Sequence, residues 1–172
     1  LFAANEAAIL FYRQALISGG EGLAARRYAE RRGLDAATLE SSEIGYAPDG
    51  WEHLAGYLRG KGFTDAELLE AGLLTTGERG GVYDRFRKRL IFPIRDERGR
   101  PVGFGGRALD EAKPKYLNTP QTALFDKGGL LFLLNRAREA IRAAGEAVVV
   151  EGYLDAITAH QFGYTNVVAT LG

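Results

Sequence analysis

The segment AVVVEGYLDAITAHQFGYTNVVATLG, residues 147 to 172, places the strongest constraint on the fold of this chain. Val148–Val150 is a run of β-branched residues, which predicts a strand buried on both faces. The residues from Tyr153 to Phe162 have the apolar spacing of a helix, and Gly163 is placed to end it. A second apolar strand is predicted over Val167–Ala169. The order strand, helix, strand predicts a βαβ unit with a right-handed crossover.

Two carboxylates stand at the carboxyl end of the first of these strands. Glu151 follows the strand directly, and Asp155 lies in the first turn of the helix. Ligands of open α/β sheets bind beyond the carboxyl ends of the strands, where an acidic pair can hold a divalent cation or transfer a proton. In the structural alternative, Glu151 only ends the strand and Asp155 complements the helix dipole. The pattern alone leaves both interpretations open.

Composition excludes several kinds of protein. The 172 residues, enough for one domain or two small ones, include no cysteine, so a disulfide, a thiolate zinc site and a thiol nucleophile are excluded. No segment has the length and hydropathy of a transmembrane helix, and charged residues interrupt the first 17 residues, unlike a signal peptide. The sequence also has no methionine, from which we expect it to be a piece of a longer polypeptide.

The net charge of zero conceals a basic middle segment. Residues 84 to 127 contain eleven lysines and arginines against six acidic residues. Such a separation of charge predicts a polyanionic partner for this segment. A solvated surface of mixed charge is the alternative.

The first 42 residues predict a small helical subdomain. An amphipathic helix over residues 1–17 is followed by a second over residues 23–32, and Asp35 is placed to cap a third. Arg32 at the end of the second helix either complements the helix dipole or meets a phosphate. Trp51 is the only tryptophan, and we expect it in the core beside a turn.

A hairpin and a polar loop occupy the middle segment. Leu90–Ile94 and Val102–Phe104 predict two strands around a turn, with Pro93 at an edge or a bulge. The glycines beside Phe104 either leave the backbone open to a bulky ligand or mark a bend. Residues 113–129 are predicted to be mostly loop, and their lysines, amides and aromatic rings could contact a nucleic acid backbone and stack a base. A loop that is merely exposed is the alternative.

Three strings of the sequence resemble one family in their order and spacing. They are YDRFRKRLIFPIRDERGRPVGFGGRAL, KYLNTPQTALFDKG and VVVEGYLDAITAHQFG. They are similar to the catalytic core of bacterial DnaG-type DNA primases, and the resemblance extends to YAERRGL and IGYAPDGW near the start. It implies an α/β chain: an amino-terminal basic α+β subdomain over residues 1–128, followed by the first βαβ unit of a Toprim fold over residues 129–172.

The resemblance implies a reaction and the residues that serve it. Glu151 matches the Toprim glutamate, which implies a catalytic residue and metal ligand, and Asp155 is the second catalytic candidate. The implied nucleic-acid- and nucleotide-binding residues are Arg32, Arg85, Arg87, Arg107, Lys115, Tyr116, Asn118 and Lys127. The implied reaction is the synthesis of short RNA primers on single-stranded DNA by nucleotidyl transfer, with Mg²⁺ or Mn²⁺ as cofactor.

The implied partners are a single-stranded DNA template, ribonucleoside triphosphates, the nascent RNA primer and, through another part of the protein, the replicative helicase. No membrane is expected, and the implied location is the bacterial cytoplasm at the replication fork. Toprim metal sites also use a DxD pair downstream of the glutamate, which does not occur before Gly172. The zinc module of the family has no counterpart here either. We therefore expect the chain alone to bind single-stranded DNA weakly, without primer synthesis.

Other functions stay open at this point. A non-catalytic nucleic-acid-binding module with a degenerate Toprim unit is the first alternative, and a DxD pair beyond Gly172 would argue against it. A Toprim nuclease or topoisomerase is the second, although the strings before residue 130 resemble primases. A metabolic α/β enzyme that uses Glu151 on a small substrate is the third, because a fold does not fix a function.

Overall fold

The computed structural model describes residues 1–78 and 80–171. Within them the strands form a four-stranded antiparallel sheet in the order β1-β4-β5-β6, an antiparallel pair β2-β3 and a parallel pair β7-β8. The helices are α1 (Phe2–Ile17), α2 (Gly19–Arg31), α3 (Ala36–Ser41), α4 (His53–Gly60), α5 (Asp65–Glu70), α6 (Leu134–Ala144) and α7 (Tyr153–Gln161), with a 3-10 turn over Lys127–Gly129. The strands are β1 (Gly45–Ala47), β2 (Leu74–Thr76), β3 (Val82–Asp84), β4 (Arg89–Arg95), β5 (Pro101–Ala108), β6 (Tyr116–Asn118), β7 (Val148–Val150) and β8 (Val167–Ala169). The predicted α/β class is confirmed.

The helical start of the chain agrees with its capping signals. Asp35 accepts a hydrogen bond from the backbone N–H of Thr38 at 2.7 Å and so caps α3 as predicted. Thr64 and Glu67 form a capping box at the start of α5, in which each side chain bonds the backbone of the other residue. α2 is longer than predicted, since it begins at Gly19 rather than at residue 23.

The central hairpin β4–β5 is buried along nearly its whole length because both of its faces are covered. On one face, Phe92 belongs to a hydrophobic cluster that includes Tyr153 of α7. On the other face, Phe104 packs in a cluster with residues of α1, α4 and α5. β1 pairs with β4 only at residues 89–91, so Pro93 lies beyond that ladder, and a register shift follows at Ile94. Pro93 therefore has the local edge position and the nearby bulge that the sequence predicted.

The glycines of β5 are explained by aromatic rings of the protein itself. A Cβ on Gly105 would lie 2.5 Å from two ring atoms of Tyr153, and one on Gly103 would lie 2.7 Å from the ring of Phe125. These glycines let rings from distant parts of the chain rest on the strand. The backbone next to these glycines, which could have been open to a bulky ligand, is therefore covered by side chains of the protein.

Two expectations about individual elements were wrong, and a third omitted a short strand. Trp51 is 62% exposed rather than in the core, because it lies on the surface against Tyr83 and Arg87. The segment predicted as mostly loop also contains the three-residue strand β6, which pairs with β5. Val148 and Val149 in β7 are 45% and 56% exposed rather than buried on both faces, because β7 has β8 as its one neighbour within the described residues.

The predicted βαβ unit is confirmed. β7 and β8 are parallel, with Val148 opposite Val167, and α7 connects them. Phe132, just before α6, forms a bridge to Ala169 of β8, so α6 begins at Leu134 rather than at the predicted residue 130. The division after residue 128 stays a prediction. No helix within residues 1–78 and 80–171 has the length and hydropathy to cross a membrane.

Candidate functional site

A cavity of about 350 Å³ lies beyond the carboxyl ends of β7 and β8. We call it the acidic crevice. Glu151 and Asp155 both line it, and both are exposed. A Cβ on Gly152 would lie 2.7 Å from a carboxylate oxygen of Asp155, so the glycine leaves room for that side chain. The remaining lining residues are Tyr116, Asn118, Tyr153, Thr170 and Leu171.

Asn118 joins three elements at the crevice. Its Oδ1 accepts a hydrogen bond from the hydroxyl of Tyr153 at 2.6 Å, and its Nδ2 donates to the carbonyl oxygen of Leu171 at 2.7 Å. Burial raises the pKa of Tyr153, so its hydroxyl stays protonated and donates at neutral pH. The ring of Tyr153 also stacks on Phe92 at 5.2 Å between centroids. β6, α7 and the segment after β8 are thereby held together around the crevice.

Arginines alternate with tyrosines in a row that leads from α2 to the crevice. Arg107 is only 6% exposed, and its Nη1 donates to the hydroxyl of Tyr116 at 2.7 Å. Its guanidinium carbon lies 5.2 Å from the ring centre of Tyr28, and that of Arg32 lies 5.5 Å from the same ring. The Nε of Arg32 also donates to the hydroxyl of Tyr28 at 3.1 Å. We call Arg32, Tyr28, Arg107 and Tyr116 the arginine–tyrosine row.

Arg85 contacts β6, the strand that carries Tyr116 and Asn118. Its Nε and Nη2 both donate to the backbone carbonyl oxygen of Asn118, at 3.1 and 2.8 Å. Burial lowers the pKa of Arg85, although a guanidinium remains charged in proteins. Arg85 therefore stabilises the position of β6 from within the protein.

Arg87 belongs to a second cationic and aromatic group on the surface. Its guanidinium carbon lies 4.3 Å from the ring centre of Trp51 and 5.0 Å from that of Tyr83. Its Nη1 donates to the carbonyl oxygen of Asp84 at 2.6 Å, which fixes its orientation. We call Trp51, Tyr83 and Arg87 the tryptophan cluster. The exposed Trp51 ring gives it a planar apolar surface beside a positive charge.

The two lysines of the predicted site are exposed. Lys115 directly precedes β6, and Lys127 begins the 3-10 turn. Neither takes part in an ion pair within residues 1–78 and 80–171. Part of the basic excess of the middle segment is neutralised elsewhere, since Lys88, Arg95 and Arg100 pair with carboxylates.

The structure brings most of the predicted site residues together. Contacts connect Arg32, Arg85, Arg107, Tyr116 and Asn118 with the crevice that Glu151 and Asp155 line, while Arg87 lies in the separate tryptophan cluster. Sequence reasoning missed Tyr28 and Tyr153 as members of this arrangement. Tyr28 precedes Arg32 by four residues, a spacing that places both on one helix face and could have indicated the pair.

The sequence matches the family model described as the DNA primase catalytic core, N-terminal domain, over residues 11–138. The chain belongs to this DNA primase family. It is 58% identical over 146 residues to the DNA primase of Deinococcus radiodurans, covering 84% of this chain and 26% of that protein. It is 47% identical over 174 residues to the DNA primase of Streptomyces coelicolor, covering all of this chain and 27% of that protein. The chain thus spans about a quarter of the length of these primases.

Solved primase structures have the same fold. The RNA polymerase domain of Mycobacterium tuberculosis primase DnaG is 44% identical, with a TM-score of 0.93 over 99% of this chain and 56% of that one. A DnaG primase catalytic domain bound to single-stranded DNA is 40% identical, with a TM-score of 0.89 over 99% of this chain and 55% of that one. The resemblance seen in the sequence motifs is therefore confirmed for the family and for the fold.

Proposed function

We propose that this chain belongs to an enzyme that synthesises short RNA primers on single-stranded DNA for replication. The observation that carries the proposal is that Tyr116, the last residue of the arginine–tyrosine row, and the nearby Asn118 line the same cavity as Glu151 and Asp155. Nucleotidyl transfer needs cations that hold phosphates beside carboxylates that hold metal ions. Membership of the primase family supports this reaction over the other uses of such a cavity.

Binding of the incoming ribonucleoside triphosphate is assigned to the arginine–tyrosine row together with Lys115 and Asn118. Arg107 is held by the hydroxyl of Tyr116 and by the rings of Tyr28 and Tyr116, so its charge is oriented without being neutralised. A guanidinium that is fixed in this way can bind phosphate oxygens in a defined direction. Lys115 would add charge on a flexible side chain, and Arg85 would support the strand from below.

The carboxylates fit part of a Mg²⁺ or Mn²⁺ site. Mg²⁺ is usually bound by one or two carboxylates, with water and substrate phosphates completing the shell. Glu151 would hold the ion, with Asp155 as a second candidate. Within the described part of the chain, no group of three or more acidic or histidine side chains is arranged to hold a metal ion. A metal ion held there would supply positive charge for nucleotidyl transfer, in which a 3′ oxygen bonds the α-phosphorus while the bond to pyrophosphate breaks and pyrophosphate leaves. Glu151 either holds the metal or accepts the proton of the 3′ hydroxyl.

The single-stranded template is assigned to the tryptophan cluster. A base can stack on the exposed ring of Trp51 while Arg87 beside it attracts the backbone phosphate. The DNA-bound state of a relative that is 40% identical supports a template of this kind. Such contacts read no bases, so binding should be independent of sequence and should weaken as salt increases. Lys127 is assigned to the same electrostatic attraction.

The wider context is also part of the proposal. The nascent RNA primer would occupy the crevice, and the replicative helicase would bind another part of the protein. The bacterial cytoplasm at the replication fork would be the place of action. Residues 1–128 would form the basic nucleic-acid-binding subdomain, and residues 129–172 would begin the metal-binding one.

Two substitutions in the full-length protein separate chemistry from template binding. Glu151→Gln keeps the size of the side chain but removes its charge, and we expect primer synthesis to fall at least about 100-fold with little change in oligonucleotide affinity. Trp51→Ala should instead weaken binding of a labelled oligonucleotide about tenfold, since stacking of one base contributes roughly 1–3 kcal/mol. Lys61→Ala is the control, because Lys61 is an exposed lysine that lies over Tyr57, outside both sites.

Primer synthesis by the Glu151→Gln variant at the wild-type rate would refute the catalytic assignment. Oligonucleotide binding by the wild-type protein without any primer synthesis would favour the non-catalytic binding module. The 172-residue chain by itself should bind a labelled oligonucleotide weakly at low salt and make no primers. Absence of that binding would contradict the assignment of the template to this part of the protein.

A further inference from the structure

Gln161, the last residue of α7, connects this helix to the turn between α2 and α3. Its Nε2 donates to the carbonyl oxygen of Gly33 at 2.8 Å, and its Oε1 accepts from the backbone N–H of Asp35 at 3.1 Å. These partners lie 128 and 126 residues away in sequence. One side-chain amide therefore uses its donor and its acceptor on a single turn, which belongs to a distant part of the chain.

The amide of Gln161 completes the hydrogen bonding of that turn. α2 ends in a Schellman motif, in which Gly33 has a φ of 82° and its N–H bonds the carbonyl oxygen of Glu30. The N–H of Leu34 bonds the carbonyl oxygen of Ala29. Within the described residues these bonds leave the Gly33 carbonyl and the Asp35 N–H without a backbone partner, and Gln161 satisfies both.

The opposite end of α7 is attached to the acidic crevice. Tyr153, its first residue, donates its hydroxyl to Asn118 and stacks on Phe92. The helix has nine residues, which corresponds to a rigid spacer of about 13 Å at 1.5 Å per residue. Arg32 directly precedes Gly33 in the turn that Gln161 contacts. α7 therefore connects the turn that carries Arg32 to the residues that line the crevice.

We propose that Gln161 is a positioning residue, which holds Arg32 in place relative to the carboxylates of the crevice. Without the amide, the α2–α3 turn would keep the packing of Leu34 but lose both polar contacts with α7, and Arg32 would sample more orientations that do not bind phosphate. Ordering a long side chain at the moment of binding weakens affinity, whereas holding it in advance avoids that cost. The inference rests on the proposed function, because it concerns the same binding row.

A double-mutant cycle in the full-length protein tests the proposal. Affinity for a labelled ribonucleoside triphosphate, the ligand assigned to the row that contains Arg32, is measured for the wild type, Gln161→Ala, Arg32→Ala and the double variant. We expect Gln161→Ala alone to weaken binding about threefold to tenfold, the range of coupling between residues of one network. In the Arg32→Ala background the same change should have less than about a twofold effect, since Gln161 would have nothing left to position.

Two further variants separate this role from a general loss of stability. Gln161→Met keeps the length and apolar packing of the side chain but lacks the amide, so it should weaken binding as much as Gln161→Ala does. Gln14→Ala is the matched control, because Gln14 is also a helical glutamine but its amide bonds Ser18, four residues along the chain, rather than a distant turn. Its affinity for the ribonucleoside triphosphate should equal that of the wild type.

The possible results are distinguishable. Equal effects of Gln161→Ala with and without Arg32 would indicate a purely structural residue and would overturn the proposal. Wild-type affinity in both Gln161 variants, with weakened binding in Arg32→Ala, would also overturn it while leaving the proposed function intact. No effect of Arg32→Ala would instead remove Arg32 from the proposed binding row, and the positioning role of Gln161 would fail with it.

Discussion

Replacement of Asn118 by alanine should destabilise the chain by about 2–4 kcal/mol. The side chain makes two short hydrogen bonds, to the hydroxyl of Tyr153 at 2.6 Å and to the carbonyl oxygen of Leu171 at 2.7 Å. Loss of each bond, with its partner group left in the protein, costs about 1–2 kcal/mol. Tyr153 is only 5% exposed, so water cannot readily replace the lost acceptor.

Urea denaturation and thermal unfolding of the chain measure this effect. For a chain of this size, 2–4 kcal/mol corresponds to a fall in Tm of about 5–15 °C. Tyr153→Phe removes one of the two hydrogen bonds and should cost about 1–2 kcal/mol. The double variant should be little less stable than Asn118→Ala alone, because the hydroxyl has already lost its partner. The coupling between the two residues is then about 1 kcal/mol.

Asn166→Ala is the matched control for this cycle. Asn166 is partly exposed, and its amide makes one long hydrogen bond of 3.4 Å to the carbonyl oxygen of Glu146. Its substitution should change the free energy of unfolding by less than about 0.5 kcal/mol. A similarly small effect of Asn118→Ala, or strict additivity with Tyr153→Phe, would refute the idea that Asn118 joins β6 to α7.

Three more predictions concern other parts of the fold. Asp84 is 3% exposed and accepts two backbone hydrogen bonds at 2.8 Å from the first turn of α4. Asp84→Ala should therefore lower the free energy of unfolding, measured by urea denaturation, by about 2–4 kcal/mol, and Asp84→Asn should lower it less. Gly105→Ala would force a Cβ to within 2.5 Å of the ring of Tyr153. It should lower the free energy of unfolding, measured by thermal unfolding, by about 1–3 kcal/mol. Burial lowers the pKa of His160, so the folded state favours the neutral imidazole. Its contribution to the free energy of unfolding should be complete above the unfolded-state pKa of about 6.5 and should decrease as the pH falls below that value. Urea midpoints from pH 7.5 to 5 should show a shallower decrease for His160→Gln.

Local patterns in the sequence were sufficient for the elements that hold the catalytic candidates. A run of three valines, apolar residues at helical spacing after it and a glycine to end the helix predicted the βαβ unit that places Glu151 and Asp155 at one edge. The cap at Asp35 was predictable for the same reason, because the residues concerned are adjacent in the chain. Fold and carboxylates could thus be predicted without knowledge of any distant contact.

Contacts between distant residues could not be predicted in this way. Arg107 meets Tyr28, and Gly105 admits the ring of Tyr153, only because separate segments converge on β5. The exposure of Trp51 was missed for a related reason. Tryptophan is largely buried on average, but this average does not predict that a specific arginine, Arg87, covers one face of the Trp51 ring at the surface.

The partners of the arginines explain how a chain with zero net charge can keep positive charge that no carboxylate neutralises in the arginine–tyrosine row. Arg95 is bound by the carboxylates of Glu6 and Glu43, so its charge is neutralised inside the structure. Arg32 and Arg107 rest instead on tyrosine rings and hydroxyls, and no carboxylate pairs with them within residues 1–78 and 80–171. A neutral aromatic partner orients a guanidinium but leaves its charge available to a ligand. The choice of partner for each arginine, rather than their number, therefore concentrates positive charge in the row that leads to the acidic crevice.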